Sequence, residues 1–226
     1  MTNKEKKQLA LRTDEVLAEL YPTAECALEW GGEPWKLLIM ARLSAQCTDK
    51  KVNDVSKKLF ALYPTPEAVA SAAVEDIEEI IRPCGLYRMK AKNICECMRI
   101  LTEKYGGELV SDMDTLLSFP GVGRKIANLL RGDIFGIGGI VCDTHFIRIT
   151  GRLGFHPESM SDPYRIEKLF DPLLPKERQT DFCHRIVWFG RDVCKASSPR
   201  CGDCPLRDEC RYNKKINKLS CKTEEK

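Results

Sequence analysis

Apolar residues recur along most of this chain at steps of three and four, the spacing that gathers side chains on one face of an α-helix. Ala91, Ile94, Met98 and Leu101 step by 3, 4 and 3, and Val52, Val55, Leu59 and Leu62 form a similar row. Phe182, Ile186 and Phe189, with Cys183 beside them, mark a third face. The same pattern predicts helices over about 5–20, 35–46, 112–118, 122–132, 144–153 and 163–171. Alternation of apolar and polar residues, the mark of a half-buried strand, is almost absent. The short apolar run Ile140-Val141-Cys142 reads as a buried connector. The expected fold class is therefore all-α. Tyr63-Pro64-Thr65-Pro66, Arg82-Pro83-Cys84-Gly85 and Tyr105-Gly106-Gly107 read as helix breaks, and the glycine-dense Gly136-Ile137-Gly138-Gly139 as a domain boundary.

Composition narrows the class. With 226 residues, 43% hydrophobic and 31% charged, the chain is globular rather than disordered and long enough to bury a real core. No apolar run approaches the roughly 20 residues of a membrane helix. The charged N-terminus, Met1-Thr2-Asn3-Lys4-Glu5-Lys6-Lys7, is not followed by the apolar stretch of a secretory signal, so a cytoplasmic protein with no membrane partner is expected. The net charge of +3 is too small to require a nucleic-acid partner. Its distribution is uneven: Glu75, Asp76, Glu78 and Glu79 make an acidic run, and Arg211, Lys214, Lys215, Lys218 and Lys222 a basic tail. Twelve cysteines are many for a cytoplasmic chain, where disulfides are rare. Cys26, Cys47, Cys84, Cys95, Cys97, Cys142, Cys183 and Cys221 are scattered and read mostly as small core residues.

Candidate chemistry begins at Phe119-Pro120-Gly121-Val122-Gly123-Arg124-Lys125, between two helical segments. Gly121 and Gly123 permit positive φ and close backbone approach, and the helix that follows presents unpaired N–H groups at its positive end. This is a place for a phosphate held by backbone alone, and equally the description of an ordinary helix–turn–helix loop. Lys125 falls in the first turn of that helix. A free lysine amine has a pKa of about 10.4, and a nucleophilic one must be depressed toward about 7–8. The helix end and neighbouring Arg124 push that way, while a solvated surface lysine is the ordinary alternative. Val141-Cys142-Asp143-Thr144-His145 offers Asp143 as a helix N-cap or as a rigidly held charge, two compatible roles, and His145 as a helix-start residue.

Cys194, Cys201, Cys204 and Cys210 stand apart from the other cysteines, spaced C-x6-C-x2-C-x5-C in a polar, turn-rich segment. Four thiolates suit zinc or an iron–sulfur cluster, and spacing does not choose between them.

Ser44-Ala45-Gln46, Gly85-Leu86-Tyr87, Pro120-Gly121-Val122-Gly123-Arg124-Lys125, Asp143-Thr144-His145 and the four cysteines occur in an order that resembles the endonuclease III family of DNA glycosylases, in the helix–hairpin–helix superfamily. The resemblance runs from about residue 8 to about residue 212. It implies two helical domains with a cleft between them: a six-helix domain over 27–137 carrying the hairpin, and 1–26 with 138–226 holding a [4Fe–4S] cluster on the four cysteines. It implies a monomer that binds double-stranded DNA containing damaged pyrimidines or abasic sites. In that reading the nucleotide is flipped out, Lys125 attacks the sugar, and Asp143 stabilises the developing charge. A Schiff base then permits β-elimination. Gln46, Leu86 and His145 match residues that fill the gap left by the nucleotide, Gly121, Gly123 and Arg124 hold a phosphate, and Arg200 and Arg207 face DNA. Departures from the family pattern are Ile126 in place of the usual threonine, the charged Leu130-Arg131-Gly132-Asp133, Arg42 in an otherwise apolar helix, and Cys47 and Cys142 beside motif residues. Arg131 and Asp133 lie about 200° apart on a helix, so one is expected at the cleft or domain interface and the other in solvent, with Asp133 the better candidate for the cleft.

Overall fold

Capping chemistry sets where many of the helices begin. In a computed structural model describing residues 1–224, with side chains through residue 217, Thr2, Thr48, Thr65, Asp112, Asp143 and Asp162 each accept a backbone N–H with their side chains. They open α1 (Asn3–Leu20), α3 (Asp49–Leu62), α4 (Pro66–Ala70), α7 (Met113–Ser118), α9 (Thr144–Leu153) and α10 (Pro163–Phe170). Thr2 completes a capping box with Glu5, whose carboxylate accepts the Thr2 N–H at 2.6 Å. The other helices are α2 (Pro34–Leu43), α5 (Val74–Ile81), α6 (Tyr87–Tyr105), α8 (Arg124–Phe135), α11 (Lys176–Asp192) and α12 (Arg211–Glu224), with a 3₁₀ turn at Arg82–Cys84. Left-handed glycines at 106, 136 and 154 end α6, α8 and α9. No strand occurs among the described residues, and the protein is all-α.

The helices sort into two compact units, Cys26–Ile137 and Met1–Glu25 with Gly138–Lys226. In the first, α6 packs on α4 and α5, and α2 on α8, around a core that includes Leu37, Leu38, Leu43, Leu59, Met98 and Leu101. In the second, α11 packs on α1 and α9. Its core is aromatic: Phe146 meets Phe170 edge-on at 4.9 Å between centroids and Phe182 at 6.0 Å. Asp14, fully buried on α1, is paired with Arg178 at 2.5 Å and Arg185 at 3.2 Å, both on α11. A β-carbon on Gly138 would overlap the Lys176 carbonyl, so the chain enters the second unit through a position only glycine fills.

Several sequence expectations are corrected here. The helix expected over 35–46 stops at Leu43, and Gln46 has φ 54°, outside any right-handed helix. The Thr65-Pro66 break is also a start: Thr65 caps α4 and Pro66 takes its first turn, where a missing N–H costs nothing. The acidic run is the exposed side of α5, whose Ile77 and Ile81 are buried. Arg131 and Asp133 are both half-buried, so neither takes the solvent position expected for one of them. The Arg131 Nε donates to the Ser111 carbonyl at 3.0 Å. Among the scattered cysteines, 84, 95, 97, 142 and 183 are buried, while Cys26 and Cys47 are half-buried. The side chains of Lys218, Cys221 and Lys222 lie outside the described residues.

Candidate active site

The turn Phe119–Gly123 joins α7 to α8 and is held from within its own unit. The Val122 N–H donates to the Phe119 carbonyl at 3.0 Å, and the Cys97 thiol donates to the Pro120 carbonyl at 3.3 Å. Gly121 has φ +74°, and a β-carbon there would overlap Arg42 Nε and lie 2.6 Å from Arg42 Cζ and Nη2. The left-handed conformation therefore favours glycine, and the space of a side chain is taken by Arg42. Gly123 is different. It is extended at φ −101°, forms the N-cap of α8, and has nothing within 4 Å of where a β-carbon would stand. No side chain caps α8, as is also true of α2, α5, α6 and α11. The amide groups of its first turn and its positive dipole end thus remain available to an anion. Lys125 is exposed in that first turn and Arg124 half-buried beside it.

The residues expected to fill a gap in DNA have unusual backbones. Among the described residues, the non-glycine positions with positive φ are Gln46 at 54°, Leu86 at 47° and Ser198 at 52°. A left-handed residue with a β-carbon costs about 1–2 kcal/mol, and such strain collects at functional sites. Leu86 is also 51% exposed, an apolar side chain held out of the core. One residue ties both segments down. Lys90, fully buried on α6, donates from Nζ to the carbonyls of Leu43 at 2.8 Å, Ala45 at 2.7 Å and Cys84 at 2.9 Å. Burial pushes its pKa down, and the Arg42 charge adds to that, against the thiols of Cys84 and Cys47. Sequence reasoning missed Lys90. The signal was present: it lies four residues before Ile94, on the apolar face of α6, where a lysine has to find partners.

In the other unit, Asp143 caps α9, its Oδ1 accepting the Phe146 N–H at 2.7 Å. Its side chain is half-buried. Next to it, burial pushes the Cys142 thiol up to about 12, so that group is an inert core thiol rather than a nucleophile. His145 packs against Gly190, and its Nδ1 lies 3.2 Å from Arg148 Nη2.

The four clustered cysteines line one solvent-open cavity of about 290 Å³. Two arginines of α9 organise it. Arg148 donates to the Cys194 carbonyl at 3.0 Å from Nη2, and Arg152 donates from Nη1 to Cys194 Sγ at 3.4 Å and to the Lys195 carbonyl at 2.7 Å. The Arg152 guanidinium also stacks on Tyr212, 4.7 Å from the ring centroid. Arg200, expected to face DNA, is exposed and ion-paired with Asp192. Arg207 donates to the Gly202 carbonyl at 3.1 Å. Burial raises the thiols of Cys201, Cys204 and Cys210, Cys204 to about 11, so thiolates form here only with a strong cationic centre. Four thiols around one cavity can serve as ligands for zinc or for an iron–sulfur cluster.

Comparisons with known proteins agree with this geometry. Residues 39–176 match the family described as HhH-GPD superfamily base excision DNA repair protein, and residues 194–210 match the iron–sulfur binding domain of endonuclease III. Endonuclease III of Bacillus subtilis (strain 168) is 42% identical over 212 residues, covering 94% of this chain and 95% of that protein. Endonuclease III of Escherichia coli (strain K12) is 38% identical over 197 residues, covering 87% and 91%. A solved non-covalent endonuclease III–DNA complex superposes with a TM-score of 0.88 at 43% identity, over 96% of this chain and 99% of that one. A thermostable thymine-DNA glycosylase shares the fold, with a TM-score of 0.83 at 22% identity. With the helix–hairpin–helix segment, the four-cysteine loop and relatives matched nearly end to end, this chain belongs to the endonuclease III family of base-excision repair enzymes, a DNA glycosylase and abasic-site lyase carrying a [4Fe–4S] cluster.

Proposed function

We propose that this enzyme binds double-stranded DNA as a monomer, excises oxidised pyrimidines through a lysine Schiff base, and nicks the strand 3′ to the lesion by β-elimination. The observation that carries this reading is Lys125, an exposed amine in the first turn of an uncapped helix that follows a glycine hairpin. Segment 27–137 acts as the hairpin domain, and 1–26 with 138–226 as the iron–sulfur domain. A related endonuclease III, 42% identical, has been solved as a trapped covalent intermediate with DNA, which supports a covalent route.

The chemistry divides among named groups. The backbone of Gly121 and Gly123 holds a phosphodiester, which fixes register without reading sequence. The target nucleotide leaves the stack, and Gln46 and Leu86 occupy the gap, their left-handed backbones anchored through Lys90. The Lys125 amine attacks the anomeric carbon as the glycosidic C–N bond breaks. The base departs with the bonding pair and takes up a proton, and the amine loses one. Asp143, held rigid by its cap bond, stabilises the positive charge that develops on the sugar. The ring opens to a Schiff base. Loss of a C2′ proton then breaks the C3′–O bond and releases the 3′ phosphate, after which water frees Lys125. Cys194, Cys201, Cys204 and Cys210 hold the cluster, which supplies a rigid crosslink for the loop.

The test is a duplex containing thymine glycol, set beside a matched purine lesion and an undamaged control. Free thymine glycol and a strand ending in the β-elimination product are expected. Base release without a nick contradicts the lyase step, and excision confined to the purine lesion contradicts the substrate class.

A further inference from the structure

Arg42 is an arginine inside an apolar helix, and its surroundings do not explain it as a structural residue. It lies on α2 at 8% exposure, so it is more than nine-tenths buried. Its Nε is buried without a hydrogen-bond partner. The charged and titratable groups that feel it are Lys90, itself cationic, and the Cys97 thiol. No carboxylate pairs with it among the described residues. A guanidinium buried this far with no carboxylate beside it is costly, and replacement by an apolar residue of similar volume is the arrangement a fold selected only for stability adopts. The guanidinium lies against the left-handed Gly121 of the hairpin, where it occupies the space of a side chain. Gly121 is exposed, and two residues later α8 begins with no side-chain cap.

We propose that Arg42 is a DNA-backbone phosphate residue: it supplies a buried positive charge beneath the hairpin, and the phosphodiester held by the Gly121–Gly123 backbone is the counter-ion missing from the protein. The inference rests on the hairpin being a phosphate site and extends it by a second, side-chain element. It accounts for three facts together: the charge in an apolar helix, the lack of a partner, and the closeness to Gly121.

Affinity for a duplex carrying a stable abasic-site analogue, measured from about 50 to 300 mM salt, tests the proposal on the full-length holoenzyme. Each neutralised phosphate contributes about 0.9 to the slope of log K against log salt. Arg42→Met, neutral and of similar length, is expected to lower that slope by about one and to weaken binding about tenfold near 0.1 M salt, independently of sequence. Its melting temperature is expected to stay level or rise, since an unpaired buried charge has gone. Arg42→Lys keeps the charge and is expected to retain the wild-type slope. A wild-type slope and affinity in Arg42→Met, or a slope lost equally in Arg42→Lys, overturns the proposal. If Arg42→Met melts well below wild type while Arg42→Lys does not, the charge is structural and the proposal also fails. Borohydride trapping of the wild type separates the two levels: a wild type that neither binds nor traps overturns the underlying hairpin reading, whereas one that does both with an unchanged Arg42→Met slope overturns only the role of Arg42.

Discussion

Asp143 caps a helix and, in the proposed mechanism, carries a charge, and these demands respond differently to substitution. Asparagine caps about as well as aspartate, so Asp143→Asn is expected to melt within a few degrees of wild type. It loses the charge, and excision of a damaged base is expected to fall about 10²–10³-fold. Cleavage of a pre-formed abasic site suffers less, because no base has to leave. Single-turnover rates on the two substrates make the comparison, and equal losses on both mark Asp143 as a cap alone. The roles of this residue were open to reading in the sequence because Asp143-Thr144 precedes an apolar-periodic segment. The strain at Gln46 and Leu86 was not, since nothing in the local sequence demands a left-handed backbone at either.

At the scale of elements, α6 carries a clamp. Its apolar face was legible from the steps of Ala91, Ile94, Met98 and Leu101. Lys90 was not, because a lysine is assigned to solvent by default and its three carbonyl acceptors come from the end of α2, the loop after it and the 3₁₀ turn. Lys90→Met leaves those carbonyls buried and unpaired, each costing about 1–3 kcal/mol. A loss of at least about 3 kcal/mol is expected in urea unfolding, with lesion excision impaired beyond what the remaining folded fraction explains. A variant of wild-type stability means that water replaces the ammonium and the clamp is dispensable. The short α4 and α5 escaped periodicity for a related reason: each has few buried positions, and their proline and acidic residues read as breaks and charge until the caps and packing are seen.

For the molecule as a whole, the four-cysteine loop was legible as a metal site, whereas the choice of cluster over zinc needed the match of residues 194–210 to the iron–sulfur binding domain of endonuclease III. The arginines of α9 that secure the loop sit about 42–46 residues away in sequence and had no local signature. Purified protein is expected to be yellow-brown with iron and sulfide near about four each per chain. Cys204→Ala is expected to lose the cluster and to melt lower, with raised hydrogen exchange in α12 and the loop around it. A colourless wild type with one zinc contradicts the assignment. Among the described residues no helix is long and apolar enough to cross a membrane.

The central claim is that Lys125 forms a covalent bond to deoxyribose. Borohydride reduction during turnover on an abasic or thymine-glycol duplex converts that bond to a stable secondary amine, and peptide mass spectrometry locates it. A stoichiometric adduct on Lys125 is predicted, absent in Lys125→Gln although that variant still binds the duplex. Trapping of Lys125→Gln at the wild-type level, or an adduct mapped to another amine such as the N-terminus, contradicts the account.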